Sequence, residues 1–133
     1  MNRALTTDLN FQAGLARQLA LRLKGGEVLA LSGPLGSGKT TFARQLARSL
    51  KIRHQVASPT FVLMNRYEGR LKTGRRIQLY HLDLYRTKSF REIRALGLPE
   101  IWGRPDTITV IEWADKIKRQ LPKKTIHIKF ASL

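Results

Sequence analysis

The sequence predicts an α/β fold: one three-layer domain over residues 1–133, with a mainly parallel sheet and an antiparallel hairpin at one edge. Three observations carry this expectation. A strand-like run, a glycine-rich turn and a helical segment follow one another between residues 27 and 50. Two β-rich segments are separated by a short polar link containing two glycines. A second apolar strand, residues 108–112, ends in a carboxylate. A length of 133 residues suits one modest core and leaves no room for two domains.

Residues 9–23 place Leu9, Phe11, Leu15, Leu19 and Leu23 at helical spacing, with Ala13, Ala16 and Ala20 between them. Gly25-Gly26 stops that helix. Residues 27–32 are mostly apolar without alternation, as expected of a strand covered on both faces. Residues 40–50 read as a helix with Phe42, Ala43, Leu46, Ala47 and Leu50 on one side. Residues 58–67 and 76–84 carry strand formers, and the polar link 68–74 joins them as a hairpin. Residues 89–96 form a short helix, with Ser89 and Glu92 at capping-box spacing and Gly97 at its end. After strand 108–112, residues 115–121 read as a basic helix broken by Pro122, and residues 125–130 alternate as a last strand.

Composition narrows the chemistry. There is no cysteine, which excludes disulfides, thiolate catalysis and Cys-ligated zinc. The histidines, His54, His81 and His127, have no metal-ligand spacing. No apolar stretch approaches the roughly 20 residues that span a bilayer, and the N-terminus has no signal-peptide core. No membrane association is therefore expected, and the default location is cytoplasmic. Lys plus Arg number 25 against 9 Asp plus Glu, a formal net charge of +16. Such an excess makes nucleic acid, an acidic partner or an anionic membrane surface plausible as a partner.

The most specific motif is Gly33-Pro34-Leu35-Gly36-Ser37-Gly38-Lys39-Thr40, which fits G-x-x-x-x-G-K-[ST] at every fixed position. Glycines let successive backbone N–H groups curl around a phosphate, and the following helix aims its positive end at the same anion. Lys39 can reach the β- and γ-phosphates, and the Thr40 hydroxyl can ligate Mg²⁺. The domain is thus expected to be of the P-loop NTPase type. No N-K-x-D occurs, so the usual guanine-reading carboxylate is missing and ATP is favoured over GTP.

Three further constellations could complete the site. Ser58-Pro59-Thr60-Phe61 is either a turn before a strand or a switch presenting a hydroxyl to the γ-phosphate. His81-Leu82-Asp83-Leu84-Tyr85-Arg86 puts His81, Asp83 and Tyr85 on one side of a continuing strand, either as a site or as an exposed polar face. Residues 108–112 deliver Glu112 at a strand's carboxyl end, where ligands gather in open α/β sheets. Trp113 follows as a core aromatic or an interface anchor.

Together these segments resemble the bacterial TsaE (YjeE) family, the ATPase component of tRNA threonylcarbamoyladenosine biosynthesis. The resemblance runs from about residue 10 to residue 122. It rests on the phosphate loop with Thr41-Phe42, on Ser58-Pro59-Thr60-Phe61, on the segment from His81 to Arg86, on Leu96-Gly97-Leu98 and on Ile111-Glu112-Trp113. It implies binding of ATP and Mg²⁺, weak or no ATPase activity alone, and action with TsaB and TsaD. Together these support threonylcarbamoylation of adenosine 37 in tRNAs reading ANN codons. By motif, Gly33, Leu35, Gly36, Ser37, Gly38, Lys39 and Thr41 would hold the phosphates, and Thr40 and Glu112 would hold Mg²⁺. Asp83 would polarise the attacking water or support the metal indirectly. Thr60 would sense the γ-phosphate, and Trp113 would shape the nucleotide site or a partner surface. Asn10 stands where the family usually has threonine, four residues before the glycine matching Gly14, and marks the position of a base contact. Acidic helix positions of the family are replaced by Arg91, Arg94 and Arg104.

Two basic clusters remain, residues 66–76 and 116–129. They are either solvated surface or contacts to tRNA phosphates or an acidic partner. The readings that compete with a partner-dependent ATPase are an ATP-switched nucleic-acid-binding module and a small-molecule kinase.

Overall fold

The computed structural model describes residues 2–5, 9–53, 64–87 and 89–131, with side chains from residue 12 onward. Strand β1 (Asn2–Leu5) precedes helix α1 (Leu9–Arg22), and strand β2 (Val28–Ser32) leads through the glycine loop into α2 (Lys39–Ser49). Strands β3 (Met64–Arg70) and β4 (Arg76–Asp83) are followed by two short helices, α3 (Phe90–Ala95) and α4 (Leu98–Ile101). Strand β5 (Thr107–Glu112), a 3-10 helix (Ala114–Gln120) and β6 (Ile126–Phe130) complete the order. One six-stranded sheet runs β1-β6-β2-β5-β4-β3. Every neighbouring pair is parallel except the β3–β4 hairpin at one edge. That is the predicted arrangement.

The non-alternating apolar strands follow from cover on both faces. In β2, Leu29 and Leu31 face α1 and α2, packing with Leu19, Phe42, Leu46 and Val110. Val28 and Ala30 face the opposite layer, where Ile93, Leu98, Ala114 and Ile117 cover them together with Leu82 and Ile111. Three layers result. Phe42 and Phe130 meet edge-on, with ring centroids 5.8 Å apart, and lock α2 to β6.

Three local expectations change, and one strand, β1, was not anticipated. The polar link is shorter than residues 68–74, because Glu68, Gly69 and Arg70 pair with Gln78, Ile77 and Arg76. Buried Gly69 explains this: a Cβ there would sit 2.6 Å from the carbonyl oxygen of Leu50, which accepts a hydrogen bond from the Arg70 amide at 2.7 Å. Ser89 caps α3 by its extended backbone without a side-chain hydrogen bond, so the capping box is not formed there. The basic segment is a 3-10 helix with non-helical torsions at Ile117. Its buried residues, Ala114 and Ile117, are three apart, which matches the three-residue period. Finally, β6 is an interior strand, because β1, too short to show a pattern, covers its outer edge. Residues 58–63 of the predicted first hairpin strand lie outside the described residues.

Candidate nucleotide site

The carboxyl ends of β2, β4 and β5 meet beside the N-terminus of α2. A cavity of about 430 Å³ opens there, lined by the loop from Leu35 to Thr41 and by Asp83, Tyr85, Arg86, Glu112 and Trp113. The loop turns through positive φ at Gly33, Gly36 and Gly38. Gly38 caps α2 with φ 102°, and a Cβ there would lie 2.7 Å from the side-chain amide of Gln12. The torsion favours glycine at this position, and a Cβ would in addition displace the Gln12 amide. The result is a turning run of backbone, bare of side chains at Gly33, Gly36 and Gly38, at the start of an 11-residue helix, which suits a phosphate.

Lys39 is 4% exposed. Its Nζ donates to the carbonyls of Gly33 at 2.6 Å and Pro34 at 2.9 Å, lies 3.5 Å from Ser37 Oγ, and sits 4.0 Å from the centroid of the Trp113 ring. Burial pushes its pKa below the ordinary lysine value, while the charges of Glu112, Asp83 and Asp115 pull it back up. The ammonium is thus held inside its own loop.

Glu112 is the hub of the site. Oε1 accepts a hydrogen bond from the Thr40 hydroxyl at 2.7 Å, and Oε2 lies 2.6 Å from Nε2 of His81. An ionised carboxylate can only accept, so His81 donates from Nε2. Both partners of this buried pair are at most 3% exposed at the side chain. The parallel register sets Asp83 beside Glu112 on the same face of the sheet. Asp83 Oδ1 accepts the backbone N–H of Tyr85 at 3.0 Å, which turns the chain out of the strand. His81 and Asp83 share a face as expected, whereas Tyr85 is 49% exposed and packs against Trp113 with the rings tilted 48° and centroids 5.0 Å apart. The reading of the His81 segment as an exposed polar face is thereby corrected: His81 is fully buried.

A hydroxyl, a carboxylate and a neighbouring carboxylate form a hard-oxygen donor set that fits Mg²⁺. Among the described residues no three His, Cys, Asp or Glu side chains make a self-contained metal cage.

Gly33 joins the same loop, and Trp113 bridges to a second cavity of about 650 Å³ lined by Ser32, Pro34, Lys118 and His127 among others. Asn10 lies in the first turn of α1, but its side chain is outside the described residues. Thr60 is also outside the described residues. Sequence reasoning missed Gln12 and the pairing of His81. Gln12 carried no motif signal, whereas the two-residue spacing from His81 to Asp83 on a strand was the available clue.

A glycine cradle, an inserted lysine and a strand-end carboxylate on a mainly parallel sheet define a P-loop nucleotide-binding fold. The family model for "Threonylcarbamoyl adenosine biosynthesis protein TsaE" matches residues 6–133. Proteins named tRNA threonylcarbamoyladenosine biosynthesis protein TsaE are similar along most of their length. The one from Treponema pallidum is 38% identical, over 80% of this chain and 73% of its own. The one from Aquifex aeolicus is 41% identical, over 78% of this chain and 70% of its own. A crystal structure of Bacillus subtilis YdiB superposes with a TM-score of 0.66 at 28% identity, covering 95% of this chain and 73% of that one. The chain belongs to the TsaE family. Among the described residues no helix is long and apolar enough to cross a membrane.

Proposed function

We propose that residues 1–133 act as one cytoplasmic ATPase unit that binds Mg²⁺-ATP, hydrolyses it, and supports threonylcarbamoylation of adenosine 37 in tRNA together with TsaB and TsaD. The observation that carries this reading is the Thr40–Glu112 contact. It joins the last residue of the phosphate motif to the strand-end carboxylate across 72 positions of sequence. Thr40 and Glu112 would hold Mg²⁺, which supplies charge neutralisation on the phosphate oxygens. Lys39 leaves the Gly33 and Pro34 carbonyls to neutralise the phosphates, while the loop amides orient them. Asp83, held by the Tyr85 amide, orients the attacking water. Trp113 covers Lys39 and keeps bulk water from it.

The TsaE names of its relatives support the pathway, and the family resemblance supports the two partners. The test is ATP hydrolysis by the chain alone and with purified TsaB and TsaD. Slow turnover alone and clear stimulation by the pair are expected. Equal rates in both conditions would remove the partner-dependent reading. Acceptor-dependent ADP release without a protein partner would replace it with a small-molecule kinase.

A further inference from the structure

The hairpin edge carries charge that the nucleotide site does not use. In the β3–β4 register, Arg66 lies opposite Tyr80, Glu68 opposite Gln78 and Arg70 opposite Arg76. Residues two apart on a strand share a face, so Arg66, Arg70 and Arg76 project from one side of the hairpin. Arg70 and Arg76 are directly opposed like charges, an arrangement that destabilises a sheet unless an anion lies between them. Among the described residues none of the three is paired with a carboxylate. Arg70 gives one N–H group to the carbonyl of Gly74, at 2.8 Å.

Other basic residues nearby have structural work. Arg75 donates to the carbonyls of Lys24 and Pro105, and Lys116 to those of Tyr85 and Thr87. Among the described residues Arg66 and Arg76 have no such contact, and Arg70 has only the one to Gly74 in its own turn. They line an open groove of about 690 Å³ along the β3 edge, to which the segment after α2 adds Lys51 and Arg53. Five cations face two carboxylates there, Glu68 and Asp106.

We infer that this groove binds the phosphate backbone of RNA. Planar guanidinium forks suit phosphate oxygens, and a groove open along its length admits a polymer. An acidic protein would call for an apolar, aromatic-rich interface core. The large exposed apolar side chains among the described residues, Leu21, Leu35, Tyr85 and Leu96, all lie outside the groove. Tyr67 and Ile77 contribute to its lining, but a strongly positive surface with no large exposed apolar side chain among the described residues has the character of a protein–nucleic acid interface. The net charge of +16 adds a long-range field that draws a polyanion toward it.

The choice of tRNA as probe rests on the proposed role in tRNA modification, but the groove itself is independent of ATP hydrolysis. Binding of an unmodified tRNA transcript, followed by fluorescence anisotropy from 50 to 200 mM salt, tests the inference. The wild-type chain should bind without nucleotide and weaken steeply with salt. The triple variant Arg66→Gln, Arg70→Gln, Arg76→Gln should lower the log–log salt slope by about 2–3 and weaken binding at every salt concentration. Exchange of the same three residues for lysine should keep most of the affinity. Titration with a fluorescent ATP analogue should give the same result for all forms, which shows that they are folded. An unchanged slope and affinity in the glutamine variant would overturn the inference. So would tighter binding of poly-glutamate than of tRNA, because the groove would then serve an acidic protein. Groove-dependent tRNA binding in a chain that never hydrolyses ATP would keep this inference and remove the ATPase reading.

Discussion

At the carboxyl ends of β2, β4 and β5 the principal charged groups already hold a partner. Lys39 is bound to its own loop carbonyls, and Glu112 is held from two sides by Thr40 and His81. On the β3–β4 hairpin, a strand or two away, Arg66 and Arg76 face solvent without a carboxylate within 4.0 Å among the described residues. The difference is one of burial. A charge in the interior must be compensated before any ligand arrives, because desolvation is costly. A charge on an exposed edge is hydrated, so a like neighbour costs it far less than it would in the interior. Substitutions in the first region should therefore be strongly coupled, and those in the second close to additive.

The largest effect should come from the loop. In the proposed mechanism Lys39 and Thr40 act on developing phosphate charge, so Lys39→Ala and Thr40→Ala should each lower partner-stimulated hydrolysis about 100–1,000-fold. Neither should alter tRNA binding by the hairpin. Wild-type rates in either variant would break the site assignment, and lost tRNA binding would merge the two regions into one.

Next in size is the division between the neighbouring carboxylates. Glu112 ends a strand buried along its whole length, so its backbone is fixed and it is tethered to Thr40. Asp83 is half-buried where β4 gives way to a turn. A metal ligand contributes already in the ground state, whereas a group that orients water contributes in the transition state. Glu112→Ala should weaken Mg²⁺-ATP binding at least 10-fold. Asp83→Ala should bind nearly normally while kcat falls. Titration with a fluorescent ATP analogue beside hydrolysis rates would show an exchange of roles as the reverse pattern.

A smaller effect tests His81. Its Nδ1 has no hydrogen-bond partner among the described residues, so its one polar contact is with Glu112. That makes it a positioning residue. It fixes one carboxylate oxygen so that the other points toward Thr40. His81→Leu should raise the Mg²⁺ concentration needed for half-maximal nucleotide binding about 10-fold, the lower end for loss of a group that orients a metal ligand. His81→Gln keeps an N–H donor and should recover most of it. An unchanged Mg²⁺ requirement in His81→Leu would reduce the residue to packing.

The same contrast explains what could be read in the sequence. The loop, the two central strands and the hairpin were legible because each obeys a local rule: glycine spacing, unbroken apolar runs, or paired strand formers around a turn. The pairing of His81 with Glu112 was not, since it joins residues 31 apart through the β4–β5 register. The link 68–74 was misjudged because Glu68 and Arg70 are polar, while their pairing with β4 and the approach of Leu50 to Gly69 belong to the assembled sheet. Strand β1 is four residues long, too few to show a period, and its place depends on β6 at the other end of the chain. Local chemistry is written locally, while register and edge cover belong to the assembled sheet.

The smallest effect concerns Lys39 before any nucleotide binds. Burial lowers its pKa in the folded chain, and unfolding removes that penalty. Between the lowered folded value and the ordinary lysine value, the unfolded chain binds more protons than the folded one. Stability therefore rises with pH through that window, and below it the penalty is constant and fully present. Lys39→Met keeps an unbranched side chain in the loop and removes the charge. Without nucleotide, the difference in Tm between wild type and Lys39→Met should be flat around neutral pH. It should then move about 1–3 °C in favour of wild type as pH rises through the alkaline window. Thermal unfolding followed by circular dichroism across that range measures it. A difference that stays flat throughout would mean that the ammonium remains hydrated, and that its contacts with Gly33 and Pro34 do not hold in the empty loop.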